Sequence, residues 1–344
     1  MNSSKITFII VTRNSKLFMA SCLDSILNQT CRDFNIAMID NDSADGTVEF
    51  VRQNYPMVSV VENNKNPGFA KANNQAIRLF KSPYLVFCNP DIILEPDWLE
   101  KVMAEVEQPI NERFGIFGGK LLKLKIINAE VGDFEKTDKI DSCGLKVLKN
   151  HRVVELGAGE PSENFSDSCE VFGFSGALMF AKREALAEII LEDKHHAGDF
   201  FDGSFFLYKE DVDLAWRLKL AGVKSLFLPQ AVAYHLRTFA AGESQSAGEI
   251  LAGRRKQSPI AKYYSYRNHL LILLEDIYLI NLLYYFLPIG WLELKKFGYI
   301  LIFETKSLLA WFEIIKMIPE IRLKRRQVIG QARVTAKEMR QWIS

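Results

Sequence analysis

The chain is poor in cysteine, and its cysteines form no pattern that binds zinc or builds a disulfide framework. Five occur in 344 residues, an odd number, and none belongs to a Cys-x-x-Cys pair. None stands beside a histidine at the spacing of a metal site. The sequence therefore predicts a protein of a reducing compartment and argues against structural zinc.

Glycine-rich phosphate-binding loops are also missing. No Gly-x-Gly-x-x-Gly follows the first apolar run, and no Gly-x-x-x-x-Gly-Lys-Ser/Thr occurs in the chain. In the proteins that carry them, these loops bring backbone N–H groups against the phosphates of a nucleotide. Their absence argues against a dinucleotide-binding protein and against a P-loop NTPase.

Long apolar segments are absent as well. The longest uncharged run of the apolar C-terminal part, residues 277–292, has 16 residues and is broken by Pro288-Ile289-Gly290. A helix that spans a bilayer needs ~20 apolar residues. The first eight residues contain no basic segment followed by a long apolar core. We therefore expect no secretory signal and a cytoplasmic protein.

Charge is balanced overall but not along the chain. The formal net charge is +1, yet residues 316–344 carry eight Lys or Arg against two Asp or Glu, a net charge of +6. The remainder is therefore net −5. A basic end suggests an anionic partner, either lipid headgroups or nucleic acid, and a solvated basic helix is the alternative.

Apolar runs alternate with helical patterns in the first 90 residues. Strands are expected at 6–12, 35–39, 58–62 and 84–88, and helices at 15–29, 47–54 and 69–80. This alternation predicts a doubly wound sheet of parallel strands with right-handed crossovers. In such sheets ligands bind beyond the carboxyl ends of the strands.

A polar cluster follows each of the four predicted strands. The clusters are Thr12-Arg13-Asn14, residues 40–45, residues 63–68 and Asn89-Pro90-Asp91. Any one of them is explained by turn formation, since Asn, Asp, Gly and Pro are the usual turn residues. Four clusters at one edge of a sheet predict a ligand site.

Three carboxylates, Glu210, Asp211 and Asp213, lie between an apolar run and a predicted helix. An apolar environment raises the pKa of a carboxylate, whereas the N–H groups of a first helical turn lower it. A carboxylate in that balance suits a general base for a hydroxyl group. The alternative is an acidic first turn of a solvated helix.

In this order the motifs resemble the inverting glycosyltransferases of family 2, which have the GT-A fold. The resemblance covers about residues 5–244 and rests on Ile9-Ile10-Val11-Thr12-Arg13-Asn14, residues 40–47, residues 66–74, residues 89–91, Gly173-Phe174-Ser175-Gly176-Ala177 and Glu210-Asp211. It implies a Rossmann-like doubly wound mixed sheet for a catalytic domain of residues 1–250. A helical, membrane-associating region of residues 251–344 follows.

Within the family the chain looks most like bacterial rhamnosyltransferases of O-antigen and other cell-wall polysaccharides. Tyr266-Arg267-Asn268-His269 adds to that similarity. The resemblance implies a dTDP- or UDP-sugar donor, with dTDP-L-rhamnose as the first expectation, and a lipid-linked saccharide acceptor. A UDP-hexose or UDP-N-acetylhexosamine donor is the alternative.

The resemblance also assigns the donor site. Asp40 would accept a hydrogen bond from the pyrimidine ring N3–H, and Thr12 and Asn14 would line the base and ribose. The further contacts that it implies with the nucleotide sugar are Asp42, Gly68, Asn73, Asn89 and Asp91. Asp45 is expected to cap the second helix instead.

A divalent cation, Mg or Mn, is implied at residues 89–91, which occupy the place of an Asp-x-Asp element. Asn89 replaces its first carboxylate, so Asp91 is the expected ligand. His235 resembles the histidine that completes the metal shell in some relatives, although a lone His is more often structural. Arg237 and residues 242–244 are expected to close over the phosphates.

For catalysis the resemblance selects Asp211 as the base, with Glu210 beside it, and predicts inversion in a single displacement. The acceptor would meet Phe174, Ser175 and Gly176, and Asp213 would bind it or orient the helix. Residues 213–217 read Asp-Leu-Ala-Trp-Arg where processive synthases carry Gln-x-x-Arg-Trp. A single-addition enzyme is therefore expected.

Two questions stay open at this point. The C-terminal helices, apolar but interrupted by charges, are expected to lie peripherally on the inner face of the plasma membrane, with no nucleic acid as partner. Packing on the catalytic domain or in a homodimer is the alternative, and a re-entrant or transmembrane pair of helices is a weaker one.

The class of function is the second open question. A non-catalytic saccharide-binding or scaffold protein is the alternative to an enzyme. A nucleotidyltransferase is disfavoured because the first loop lacks glycines.

Overall fold

The computed structural model of the chain describes residues 4–128, 133–193, 196–237, 254–255 and 257–344. In these residues the strands are β1 (Ile6–Thr12), β2 (Phe34–Asn41), β3 (Ser59–Asn63), β4 (Tyr84–Cys88), β5 (Ile92–Leu94), β6 (Phe114–Asn128), β7 (Asp133–Ser142), β8 (Leu145–Val147), β9 (Val153–Glu155), β10 (Cys169–Val171), β11 (Leu178–Lys182), β12 (Leu191–Asp193), β13 (His196–Asp199) and β14 (Lys224–His235).

The α-helices of the same ranges are α1 (Lys16–Leu27), α2 (Thr47–Asn54), α3 (Phe69–Leu79), α4 (Trp98–Val106), α5 (Arg183–Ala187), α6 (Glu210–Leu220), α7 (Pro259–Glu275), α8 (Leu279–Tyr284), α9 (Phe286–Phe303), α10 (Leu309–Gln331) and α11 (Ala336–Met339). The elements of the first 90 residues confirm the predicted order. β1, α2 and β4 have the predicted bounds, because each is a clear apolar or amphipathic pattern between turn residues.

One sheet of ten strands runs in the order β10-β14-β6-β11-β4-β1-β2-β3, with β5 paired to β14 and β7 paired to β6. The neighbours β3, β2, β1 and β4 are parallel, so their carboxyl ends share one edge. β11 runs antiparallel to both β4 and β6. The sheet is therefore mixed, as the family resemblance implies, and not all parallel, as the alternation of strands and helices alone predicts.

A close approach between β6 and β14 sets the path of β14. A Cβ at Gly119 would lie 1.7 Å from the carbonyl oxygen of Ala231, so glycine is required there. The register of the two strands shifts at this point, and β14 then pairs with β5 as well, with His235 opposite Ile92. This pairing brings His235 beside Asp91, which immediately precedes β5.

The C-terminal helices share a hydrophobic core with the region around α6. Trp216 is fully buried in that core, stacked on His151 at 5.8 Å between ring centroids and edge-to-face with Phe172 at 5.0 Å. The end of the chain returns to β8, where Ser344 N–H donates to the carbonyl of Val147 at 3.0 Å. The predicted boundary at residue 250 lies outside the described residues.

Within the described ranges, no helix combines the length and the hydropathy that crossing a bilayer requires.

The shared core gives a stability prediction. Trp216→Ala should lower the free energy of unfolding by about 3–5 kcal/mol, because it leaves a cavity between α6 and the C-terminal helices. Trp291→Ala is the matched control: that side chain is 60% exposed, and its loss should change stability by no more than about 0.5 kcal/mol. Urea denaturation measures both. Equal effects of the two substitutions would contradict the shared core.

Candidate functional site

The carboxyl ends of β1 and β2 are joined through a buried aspartate. Thr12 lies opposite Asp40, and its hydroxyl donates to Asp40 Oδ1 at 2.8 Å. The N–H and the hydroxyl of Ser43 donate to the same carboxylate at 2.9 and 2.6 Å. A carboxylate has about four acceptor positions, so roughly one remains for a donor from outside. Asp40 is 2% exposed, so such a donor must reach it from the sheet edge.

Asn14 connects the loop after β1 to the loop after β2 through hydrogen bonds. Its backbone is left-handed, with φ 53°, its N–H donates to Ser43 Oγ at 2.8 Å, and its Oδ1 accepts from the N–H of Ala44 at 2.8 Å. Asp42 is left-handed too, with φ 65°, and is exposed. Asp45 accepts from the first N–H of α2 and so has the helix-capping contact expected of it.

Gly68 lets the third loop approach the segment that precedes α6. Its φ is 91°, and a Cβ there would lie 2.5 Å from the carbonyl oxygen of Phe206. The N–H of Phe69 donates to that same carbonyl at 3.2 Å. The third loop and the segment that leads into the acidic helix are therefore in direct backbone contact.

Asn73 does not face this loop surface. It is fully buried in α3, and its Nδ2 donates to the carbonyl of Phe69 at 3.0 Å. Its Oδ1 has no hydrogen-bond partner among the described residues. The expected contact between Asn73 and a nucleotide sugar is therefore not available in this conformation, since the amide points into the protein.

The loop after β4 places Asp91 beside His235. The Asp91 side chain is 12% exposed, and its Oδ1 lies 3.5 Å from His235 Nε2. The N–H of Leu236 donates to the carbonyl of Asp91 at 3.1 Å. At the start of the same loop, the N–H of Asn89 donates to the carbonyl of Ala177 at 2.8 Å. The two residues that sequence analysis named as metal ligands thus lie side by side.

Behind His235 lies an ion-pair network that sequence analysis missed. His235 Nδ1 is 2.8 Å from Asp141 Oδ2, and Arg237 lies 2.7 Å from both Asp141 Oδ1 and Glu155 Oε1. Burial lowers the pKa of His235, but hydrogen bonds with Asp141 and Asp91 outweigh it and raise this pKa to about 9. Asp141 is the penultimate residue of β7 and Glu155 is the last residue of β9, and no motif marks either of them in the sequence.

These residues fit a divalent cation. One carboxylate oxygen and one imidazole nitrogen form a donor set that Mn2+ accepts. Two ligands of one ion lie about 3 Å apart, close to the distance between Asp91 and His235. A ligating histidine usually bonds a carboxylate through its other ring nitrogen, as His235 does with Asp141. A cation would replace the proton on Nε2.

Asp211 lies in the first turn of α6 and is fixed by two backbone groups. The N–H of Gly176 donates to its Oδ2 at 3.0 Å, and the N–H of Val212 donates to its Oδ1 at 2.8 Å. Ala177, next to Gly176, accepts from Asn89. One turn therefore joins the Asp91 loop to the carboxylate that sequence analysis named as the base.

Glu210 differs from its neighbour in being buried. Burial and then the charge of Asp211 raise the pKa of Glu210 to about 8, so this acid is mostly neutral near pH 7. Its Oε2 has no hydrogen-bond partner in the part of the chain that the structure describes. Of the two adjacent acids, Asp211 is the one less buried and is tied to the Gly176 turn.

Two of the expected acceptor residues lie elsewhere. Phe174 is 4% exposed because its ring fills the notch left by Gly118 in β6, so it cannot stack on a sugar here. Asp213 is fully buried and pairs with Arg217 at 2.5 Å, which leaves it the helix-orienting role and not acceptor contact. Ser175 is partly exposed beside Gly176.

The turn before α6 is strained and is held by α7. Tyr208 and Lys209 both have φ 67°, a left-handed conformation that non-glycine residues rarely adopt. Asn268 is fully buried and donates to the carbonyls of Leu207 and Tyr208 at 3.0 and 2.7 Å. Strained backbone persists where surrounding contacts determine it. The C-terminal helices therefore help to set the start of the acidic helix.

Arg267 strengthens this contact. Its Nε donates to Asn268 Oδ1 at 3.0 Å, and its Nη1 pairs with Glu313 of α10 at 2.6 Å. A further donor reaches the carbonyl of Ser204. The segment Tyr266-Arg267-Asn268-His269, which adds to the similarity with rhamnosyltransferases, thus connects α7, α10 and the loop before α6. Residues 242–244, expected to close over phosphates, lie outside the described residues.

Comparison with known proteins places this arrangement in a family. The family model of glycosyl transferase family 2 matches residues 7–190, more than half of the chain. Chondroitin synthase of Escherichia coli is 29% identical over 109 residues, covering 31% of this chain and 16% of that protein. An uncharacterized glycosyltransferase of Haemophilus influenzae is 31% identical over 110 residues, covering 32% and 37%. The matches thus span well under half of these relatives' length.

Solved structures show the same fold. S. aureus TarS 1–349 in complex with UDP-GlcNAc has a TM-score of 0.53 at 14% identity, over 98% of this chain and 92% of that one. GalNAc-T7 with UDP, GalNAc and Mn2+ has a TM-score of 0.52 at 15% identity, over 77% and 50%. The mixed sheet is that of these GT-A-like neighbours. With its family match over residues 7–190, the chain belongs to glycosyl transferase family 2.

Proposed function

We propose that the chain is an inverting glycosyltransferase that moves a sugar from a nucleotide donor to a lipid-linked saccharide in a single displacement. The observation that carries this proposal is the turn at residues 175–177. It binds Asp211 through the N–H of Gly176 and binds the loop of Asp91 through the carbonyl of Ala177. A base and a cation ligand are therefore held by one short segment.

In the proposed reaction Asp211 removes the proton of the acceptor hydroxyl. The acceptor oxygen bonds to the anomeric carbon while the bond from that carbon to the diphosphate breaks, so the configuration inverts. The two backbone N–H groups on Asp211 fix its direction before the acceptor arrives, which favours catalysis by orientation. Because Glu210 is mostly neutral near pH 7, no second negative charge lies directly beside Asp211.

Asp91 and His235 would hold Mg2+ or Mn2+, which supplies charge neutralisation for the departing diphosphate. Asp141 orients His235, and Arg237 holds Asp141. GalNAc-T7, which has a similar fold, was solved with UDP and Mn2+. We include a divalent cation in the proposed function because Asp91 and His235 together offer a carboxylate oxygen and an imidazole nitrogen as ligands.

For the donor we propose a pyrimidine nucleotide sugar, first dTDP-L-rhamnose. Asp40, at the edge of the sheet with an acceptor position to spare, supports recognition of a ring N3–H, which thymine and uracil share. The rhamnose itself rests on the resemblance of the sequence to rhamnosyltransferases. A UDP-hexose or UDP-N-acetylhexosamine is the second candidate, because TarS was solved with UDP-GlcNAc.

We place the enzyme at the cytoplasmic face of the plasma membrane, in contact with anionic lipid through its C-terminal helices. Most of the exposed large apolar side chains of the described residues lie between Leu279 and Leu323. Exposed basic side chains interleave with them: Lys295, Lys306, Lys316, Arg322 and Arg326. Apolar surface with flanking positive charge is typical of helices that lie in a membrane interface.

Asp211→Asn tests the proposed base. It should lower kcat at least about 100-fold, the contribution of a general base, and leave donor affinity within about 3-fold. Release of nucleoside diphosphate, with and without Mn2+, is measured on dTDP-L-rhamnose and on UDP-glucose and UDP-GlcNAc. Asp97→Asn serves as control and should not change turnover, because the Asp97 side chain is 45% exposed and is paired with Lys101. Unchanged turnover of Asp211→Asn would exclude its role.

Asn268→Ala tests the positioning of α6. Loss of its hydrogen bonds, two donated to the turn and one accepted from Arg267, should destabilise the fold by about 1–3 kcal/mol and lower kcat more than about 10-fold, with little change in the donor KM. Asn281→Ala is the matched control, because Asn281 is equally buried but donates to Ala336, away from the turn. It should also lose stability, through one hydrogen bond, but keep kcat. The same kcat in both variants would make Asn268 merely structural.

Vesicle binding tests the membrane contact. Leu283→Glu with Leu287→Glu replaces two leucines that are 71% and 79% exposed, so the fold should persist. Binding to phosphatidylglycerol and phosphatidylethanolamine vesicles should fall more than about 10-fold, as expected from burial of two leucines. Ile110→Glu replaces a side chain that is 78% exposed in the short 3-10 helix between α4 and β6, and this variant should bind normally. A dimer that this double variant dissociates, without vesicle binding, would contradict the proposal.

A further inference from the structure

Four carboxylates meet between the catalytic region and the C-terminal helices. Asp202 lies in the loop before α6, Asp213 in α6, and Glu275 and Asp276 at the end of α7. All four are at most 2% exposed. None of them belongs to the proposed active site. That site uses Asp211, in the first turn of α6, which faces the turn of Gly176.

Two cations already contact this cluster. Arg217 donates to Asp213 Oδ2 through Nε at 2.9 Å and through Nη2 at 2.5 Å. Lys324 of α10 lies 2.6 Å from Asp202 Oδ1 and 2.7 Å from Glu320, which stands at the exposed edge. Both cations therefore use one oxygen of their partner in the cluster and leave the other oxygen to the interior.

The remaining oxygens are buried and unpaired. Asp202 Oδ2, Asp213 Oδ1, Glu275 Oε1 and both oxygens of Asp276 have no hydrogen-bond partner among the residues that the structure describes. One oxygen from each of Asp202, Asp213 and Glu275 lies within 4.8 Å of the others. Such convergence of unpaired carboxylate oxygens is costly unless a positive group occupies the space between them.

The charges around the cluster also favour an additional positive group. Two cations, Arg217 and Lys324, are paired with the cluster, so ionisation of all four carboxylates leaves it short of positive charge. Arg325 lies near Asp276, but its guanidinium group donates to the carbonyls of Leu274 and Ile277, each at 2.8 Å. A divalent cation would supply the missing charge in a space lined by oxygen, which Mg2+, Ca2+ and Mn2+ all prefer.

We propose that a divalent cation binds between Asp202, Asp213 and Glu275, as a second site apart from Asp91 and His235. Two of its ligands come from the segment that surrounds Glu210-Asp211 and one comes from α7. The bound ion would therefore tie the C-terminal helices to the catalytic helix. Its expected role is to stabilise this packing, independently of which sugar the enzyme transfers.

Protons are the competing occupants. Burial, followed by the charges of neighbouring carboxylates, raises the pKa of Glu275 and of Asp276 well above the usual range. A site neutralised by protons alone would bind no Mn2+.

The experiment uses the full chain with Asp91→Asn, which removes the expected ligand of the active-site cation. After chelator treatment, Mn2+ is titrated and followed by electron paramagnetic resonance and by thermal unfolding. Asp91→Asn should bind about one Mn2+ per chain and gain thermal stability on binding. Adding Glu275→Gln should weaken that affinity more than about 10-fold and remove the stabilisation.

Glu320→Gln on the same Asp91→Asn background is the matched control, because Glu320 also contacts Lys324 but lies at the exposed edge. It should keep the Mn2+. Elemental analysis provides a second measurement that needs no background variant: Glu275→Gln should hold about one ion fewer than the unmutated chain.

Asp91→Asn protein that binds no Mn2+, or that binds it equally with Glu275→Gln, would overturn the proposal. Neither outcome involves sugar transfer. A chain that failed to turn over any nucleotide sugar would leave this test unchanged, so the two proposals fail separately.

Discussion

The hydrogen bond from the Gly176 N–H to the Asp211 carboxylate is the contact on which the rest of the site depends. Gly176 sits in a turn that leads into β11, the antiparallel strand beside β4, and β4 ends at the loop of Asp91. The sheet therefore fixes the position of the acidic helix relative to Asp91 and His235. A mixed sheet achieves this because one antiparallel strand returns the chain to the edge where the parallel strands end.

The C-terminal helices take part in the same arrangement. Asn268 holds the strained turn at Tyr208 and Lys209, and Lys324 binds Asp202 in the same loop. Two left-handed residues in succession cost on the order of 1–3 kcal/mol each, and contacts from α7 and α10 offset that strain. The C-terminal helices thus help to position the acidic helix, while many of their large apolar side chains remain exposed.

The first 90 residues could be predicted from the sequence because their apolar periodicity is regular and their loops carry turn residues. That pattern also brought Asp40 and Asp91 to one edge of the sheet, and the family resemblance added the acidic helix to the same site. It could not tell which face a side chain takes within a loop or helix, so Phe174, Asn73 and Asp213 proved to be buried. Asp141 and Glu155 were missed because they end strands without a motif, and only the folded sheet brings them to His235.

The central claim is that Asp91, His235 and Asp211 serve one nucleotide sugar. Crystals grown with Mn2+ and a nucleoside diphosphate test it most directly, through the anomalous scattering of manganese. The account predicts a peak between Asp91 and His235, with the diphosphate bound on the side of Asp211 and the pyrimidine at Asp40. A diphosphate bound away from Asp211, with no manganese at Asp91, would contradict it.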